Sequence, residues 1–144
     1  MHKQTIFYVD DNAKSRLLLA SILREIGFEV IAVGDPMGAL DMLEIATFDL
    51  VLLDYQMPKM NGAQLAKAVK GIFPGVPIVM ISGLPTLPQE ELLYVDEYCG
   101  KGATLDELVF AIHSLISSSH PIGAHSVAAK ADSMSAVQPW SSST

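Results

Sequence analysis

The chain is 144 residues long, half of them hydrophobic, with a net charge of −7 and a single cysteine. That length suits one domain with one core, the acidic balance argues against nucleic acid as a partner, and the lone Cys99 forms no intramolecular disulfide and fits a reducing cytoplasm. No apolar stretch reaches the ~18 residues of a membrane span, and Asp10-Asp11 cuts the first apolar segment too short for a secretory leader.

In chain order, Thr5-Ile6-Phe7-Tyr8-Val9 reads as a strand near 5–9 that runs straight into Asp10-Asp11-Asn12. The next period predicts a helix over 13–26, with Leu17, Leu18, Ile22, Leu23 and Ile26 inward and Gly27 as C-cap. A strand near 29–33 precedes a helix over 36–46, opened by Asp35 as N-cap and Pro36 at the first helical position. The aliphatic run Leu50-Val51-Leu52-Leu53 predicts a strand near 49–53 buried on both faces, ending at Asp54. Met57-Pro58 and Asn61-Gly62 then mark a tight loop before a helix over 62–72.

Ile78-Val79-Met80-Ile81 belongs to a strand near 78–82 that ends in Ser82-Gly83. A helix near 86–94 and a strand near 96–99 follow. Thr104 and Glu107 form a capping box for a helix over 104–117, with Leu105, Leu108, Val109, Ile112, Leu115 and Ile116 at helical spacing. Strands alternating with helices predict an α/β fold with a parallel sheet, right-handed crossovers and helices on both faces. Residues 1–118 read as one domain. The serine-rich stretch 119–144, with its isolated Trp140, predicts a disordered tail, and no output domain is expected.

Ligands of open α/β sheets bind beyond the carboxyl ends of the strands. Asp10, Asp11 and Asp54 all stand at such ends. Brought together, two unit charges about 4 Å apart repel by roughly 4 kcal/mol at an effective dielectric near 20. Such a cluster needs a counter-charge or raised pKa values, and hard oxygen donors in small number suit Mg²⁺. Three aspartates and Lys101 sum to −2, which one Mg²⁺ neutralises. The set is then ready to take a phosphoryl group onto a carboxylate, with Lys101 balancing its oxygens and Ser82 donating a hydrogen bond.

These pieces together resemble the receiver domain of two-component response regulators. The matching stretches are Val9-Asp10-Asp11-Asn12, Leu52 to Gly62 around Asp54, Ile81-Ser82-Gly83, and Lys101, within roughly residues 3–118. The resemblance implies a flavodoxin-like five-stranded parallel sheet in the order 2-1-3-4-5. It implies that Asp54 is the phosphoacceptor, served by a sensor histidine kinase or phosphotransfer protein. Asp54 would belong to the Mg²⁺ site as well, with Asp11 ligating the ion directly, Asp10 helping through water, and Gln56 adding its main-chain carbonyl. Ser82 and Lys101 would contact the phosphate, Tyr98 would be the aromatic switch, and a downstream protein partner would read the change. Neither nucleic acid nor a membrane is expected as a partner of the chain.

Two departures stand out. Gly102 replaces the proline that usually follows the lysine across a cis bond. A cis bond without proline costs about 2.5–4 kcal/mol, so a trans 101–102 peptide and an altered placement of Lys101 are expected. The stretch from Ser82 to Lys101 is also short, which predicts a stub of helix near Pro88 to Tyr94.

Taken singly, each site residue has an ordinary reading. Asp54 could end a turn, Asp10 or Asp11 could cap the first helix, Ser82 could be a loop hydroxyl and Lys101 a solvated lysine. Tyr98 could be plain core or surface. His2, His113, His120 and His125 lack metal-ligand spacing, and Met57 and Met60 read as packing. Two other functions compete: a receiver-like interaction module that works without phosphorylation, and a small aspartyl-phosphate phosphatase. Gln56 stands where such an enzyme would want a second acid, so no enzyme is expected.

Overall fold

The protein is described by a computed structural model covering residues 3–118 and, for the backbone alone, 122–123. The main strands are β1 (Thr5–Val9), β2 (Glu29–Val33), β4 (Leu50–Asp54), β5 (Ile78–Ile81) and β6 (Glu97–Cys99), with a two-residue β3 (Thr47–Phe48) just before β4. The helices are α1 (Ala13–Ile26), α2 (Pro36–Leu43), α3 (Gly62–Ile72) and α4 (Leu105–Ser117). The sheet runs β2-β1-β4-β5-β6 and every neighbouring pair is parallel. Leaving aside β3, that is the expected order 2-1-3-4-5. β3 instead pairs antiparallel with the backbone of β7 (Ile122–Gly123). The remainder of 119–144, expected as a disordered tail, lies outside the described residues, as do His2, His120, His125 and Trp140.

The aliphatic run in β4 is buried on both faces, as its composition requires. Val51 and Leu53 join Phe7, Val9 and Ile78 beneath α2 and α3, against Leu43, Leu65 and Val69. Leu50 and Leu52 join Ile6, Tyr8 and Val79 beneath α1 and α4, against Leu23, Leu108 and Ile112. Alternation along each strand therefore divides its side chains between two cores.

A buried carboxylate and a half-buried one close the amino-terminal edge of the sheet. Asp49 accepts from the Thr5 amide at 2.7 Å while its own amide donates to the Thr5 carbonyl at 2.8 Å. Asp96 repeats the device on Ile78, at 2.7 and 2.8 Å, and pairs with Lys70 at 3.0 Å.

Most of the helix-end readings hold. Gly27 caps α1 at φ 128°, Asp35 caps α2 with Pro36 at its start, and Thr104 and Glu107 form their capping box. Asn61 does more than end a tight loop, because it forms a second capping box with Gln64 at the start of α3. The cap of α1 is Asn12, neither Asp10 nor Asp11.

The inward face of α1 differs from expectation. Leu17 and Leu18 are 69% and 64% exposed and Ile26 is exposed, whereas Leu23 is buried with Ala20 and backed by Leu19. Three consecutive leucines cannot all face one core on a helix of period 3.6. In α4, Leu105 is also exposed, while Leu108, Ile112, Leu115 and Ile116 are buried as read.

The helix expected near 86–94 is reduced to a single 3₁₀ turn, Gln89–Leu92, with no side-chain cap. Pro85 and Pro88 each remove an amide donor and push the preceding residue toward extended backbone, so only a short turn forms.

Candidate functional site

The register of the sheet builds the site. Val9 pairs with Leu53, so the residues that follow, Asp10 and Asp54, leave adjacent strands side by side. One carboxylate oxygen from each of Asp10, Asp11 and Asp54 lies within 4.8 Å of the others. Asp10 is buried, Asp11 exposed and Asp54 half-buried. Burial, then the charges of Asp10 and Asp11, raise the Asp54 pKa to about 7, against a hydrogen bond from the Tyr55 amide that lowers it. Three hard oxygen donors of this kind fit Mg²⁺.

Each carboxylate is placed by its neighbours. Asp10 accepts from the Tyr8 hydroxyl at 2.6 Å through Oδ2 and from the Asn12 amide at 3.0 Å through Oδ1. Its main-chain carbonyl accepts from the Arg16 guanidinium at 2.8 Å. After Asp54 the loop returns on itself, the Gly62 amide donating to the Tyr55 carbonyl at 2.8 Å. A Cβ at Gly62 would stand 2.6 Å from the Asp54 carbonyl oxygen and 2.9 Å from the Tyr55 Cα. Glycine is therefore required by close approach of backbone. Met57 anchors the loop in the core, with Met60 packed against it, so the packing reading of both methionines holds.

Ser82 shares with Tyr8, Asp10 and Asp54 the wall of a shallow cavity of about 350 Å³. Its hydroxyl accepts from the Leu84 amide at 3.0 Å. The Leu84 carbonyl in turn accepts from the Tyr98 hydroxyl at 2.6 Å and from the Lys101 amide at 2.9 Å. Lys101 itself is exposed, and among the described residues the only ion pair is Lys70–Asp96, so its amine does not pair with Asp54. The 101–102 peptide is trans, as expected, and Gly102 adopts φ 97°. Gln56 is exposed, two positions beyond Asp54. His113 packs against Phe28 in a tilted arrangement with ring centroids 5.0 Å apart, and Cys99 is half-buried, its thiol pKa raised chiefly by burial.

Sequence reasoning missed three contributors. Tyr8 stands two residues before Asp10, and the period of a strand puts both on one face, so the signal was present. Arg16 lies one turn beyond Asn12. Glu91, which accepts from the Tyr55 hydroxyl at 2.8 Å, had no local signal because 36 residues separate the partners.

The family model described as Response regulator receiver domain matches residues 6–109. The chain belongs to this family. As a receiver domain of two-component response regulators, it is similar to the heme response regulator HssR of Staphylococcus saprophyticus, 30% identical over 115 residues that cover 78% of this chain and 51% of that protein. The chain spans 7% of the length of the sensor histidine kinase GacS of Pseudomonas protegens and 51% of that of HssR. Its structure resembles a response regulator receiver protein from Sinorhizobium medicae, at TM-score 0.73 and 32% identity, covering 81% of this chain and 97% of that one. It also resembles the response regulator TrrA of Thermotoga maritima, at TM-score 0.73 and 27% identity over 78% of this chain and 98% of TrrA. TrrA has been solved in complex with Mg²⁺-BeF and in complex with the histidine kinase ThkA. The fold is the flavodoxin-like one that the receiver family shares. Among the described residues, no helix is long and apolar enough to cross a membrane.

Proposed function

We propose that Asp54 accepts a phosphoryl group from a phosphohistidine on a sensor histidine kinase or phosphotransfer protein. The observation that carries this is the convergence of the Asp10, Asp11 and Asp54 carboxylates within 4.8 Å at the carboxyl edge of the sheet. An Asp54 carboxylate oxygen attacks phosphorus, the bond from phosphorus to the histidine nitrogen breaks, and the ring leaves with the electron pair. Asp11 and Asp54, with Asp10 through water and the Gln56 carbonyl, would hold Mg²⁺. When bound, the ion neutralises the carboxylates and the incoming phosphoryl oxygens.

The remaining work belongs to the chain. Deprotonated Asp54 is the nucleophile. Ser82 accepts from Leu84 and keeps its own O–H free to donate to a phosphoryl oxygen. Lys101 is exposed and its backbone amide is tied to Leu84; with no side-chain partner among the described residues, its amine can turn toward that oxygen. The shared tie of Ser82, Tyr98 and Lys101 to Leu84 supports a shift of this strap when the phosphoryl group arrives, read by a downstream protein. The complexes described for TrrA, with Mg²⁺-BeF and with a histidine kinase, support both the cofactor and the partner. Receiver domains are generally phosphoacceptors rather than enzymes, and a cytoplasmic setting follows from this reading.

One observation favours a second reading, an interaction module that works without phosphorylation: Lys101 is exposed and makes no ion pair with Asp54 among the described residues. Incubation with Mg²⁺ and acetyl phosphate, followed by intact-mass measurement, separates the two. The favoured reading requires addition of one phosphoryl mass to the wild type and none to Asp54→Asn. An unmodified wild type supports the second.

A further inference from the structure

Tyr8 is fully buried, its ring in the cluster that holds Leu23, Leu52 and Ile112, where a phenylalanine would fill the same space without a hydroxyl. A hydroxyl buried there costs free energy unless it is bonded. Its partner is Asp10 Oδ2 at 2.6 Å, a short contact typical of an O–H donor on a carboxylate. The Asn12 amide holds Oδ1 at 3.0 Å, so both oxygens of Asp10 are fixed by donors from the protein. Asp10 is thereby held in one rotamer beside Asp11 and Asp54, in spite of the repulsion among the three.

We propose that Tyr8 is a positioning residue for Mg²⁺ binding, its hydroxyl pinning the Asp10 carboxylate in the orientation the ion requires. The proposal rests on the reading of Asp10, Asp11 and Asp54 as the metal-holding cluster. Donors behind metal-binding carboxylates orient them, and their loss costs about 10–100-fold in metal affinity. Asp10 is one of three carboxylates and the one assigned to act through water, so the lower end applies. Tyr8→Phe keeps the ring in the core and removes only the pin.

The test is calorimetric titration of the full chain with MgCl₂ alone. Wild-type binding tests the cluster itself, and Tyr8→Phe tests the pin. The expected result is a Kd about 10-fold weaker in Tyr8→Phe than in wild type. In an Asp10→Asn background, adding Tyr8→Phe changes Kd by less than about 2-fold, because the two residues act through one bond. An unchanged or tighter Kd in Tyr8→Phe, or an equal loss in both backgrounds, overturns the proposal. A second measurement covers a poorly folding variant. In wild type the buried phenolic proton gives a slowly exchanging NMR resonance that moves on adding Mg²⁺ and disappears in Asp10→Ala. A resonance that ignores both changes also overturns it.

Discussion

The Tyr98 hydroxyl donates to the main-chain carbonyl of Leu84 at 2.6 Å. That bond joins the last strand of the sheet to the strap that follows Ser82, and the Lys101 amide reinforces it from the same carbonyl at 2.9 Å. The strap replaces most of an expected helix, so its position depends on these few bonds rather than on a packed helical face.

Tyr98→Phe should therefore loosen the strap while leaving the phosphoacceptor intact. An exposed hydrogen bond of this kind contributes at the low end of the usual ~0.5–1.5 kcal/mol, and urea denaturation should show a loss of about 0.5 kcal/mol. Phosphorylation by acetyl phosphate should proceed as in wild type, with a smaller phospho-dependent shift of the Leu84 amide in NMR spectra. A full-sized shift in the variant would remove Tyr98 from the switch.

Asp54 makes the metal-free protein sensitive to pH. Its pKa is about 7 in the folded state against 3.8 as the ordinary value. Below that ordinary value both states are protonated. As pH rises toward 7 the unfolded state has released a proton that the folded state still holds, so stability falls across this window. Asp54→Asn should abolish this dependence and be more stable than wild type at pH 8, by about 1–2 kcal/mol because solvent reaches the half-buried carboxyl and screens it. Thermal melting in EDTA across pH 4 to 8 checks this, and parallel curves for the two proteins would refute it.

Asp11 is the exposed member of the cluster and makes no structural hydrogen bond through its side chain among the described residues. Asp11→Ala should lower Mg²⁺ affinity by about 10-fold or more and leave metal-free stability unchanged or slightly higher, since one source of repulsion is gone. Equal Kd values in wild type and variant would exclude Asp11 as a ligand.

Gly62→Ala sets a Cβ 2.6 Å from the Asp54 carbonyl oxygen, against backbone that has no flexible end to yield. Overpacking of this sort costs about 1–3 kcal/mol, and the loop that carries the phosphoacceptor must shift to relieve it. The expected outcome is a lower denaturation midpoint together with slower phosphorylation by acetyl phosphate. A variant matching wild type in both would show that the loop relaxes freely.

Much of this was legible in the chain because it depends on local physics. Four aliphatics in β4 with no polar break demand burial on both faces. Asp35-Pro36 and Thr104 with Glu107 satisfy helix-end donors through residues one to three positions away. The placement of Asp10, Asp11 and Asp54 at strand ends was equally local, and parallel pairing then brought them to one edge.

What only the tertiary structure decided depends on partners distant in sequence or on the phase of a helix. Which leucines of α1 turn inward follows from how the helix packs on the sheet, and a run of three leucines carries no such phase. The exposed amine of Lys101, the capture of Leu84 by Tyr98 and the bond between Tyr55 and Glu91 follow from where separate segments cross in space. The Tyr8 hydroxyl lies between these cases: strand period puts it on the Asp10 face, but only tertiary packing over β1 buries it. Local sequence sets which groups must be buried, capped or charged; the register of packed elements sets which of them meet, because direction and distance are properties of the assembled chain.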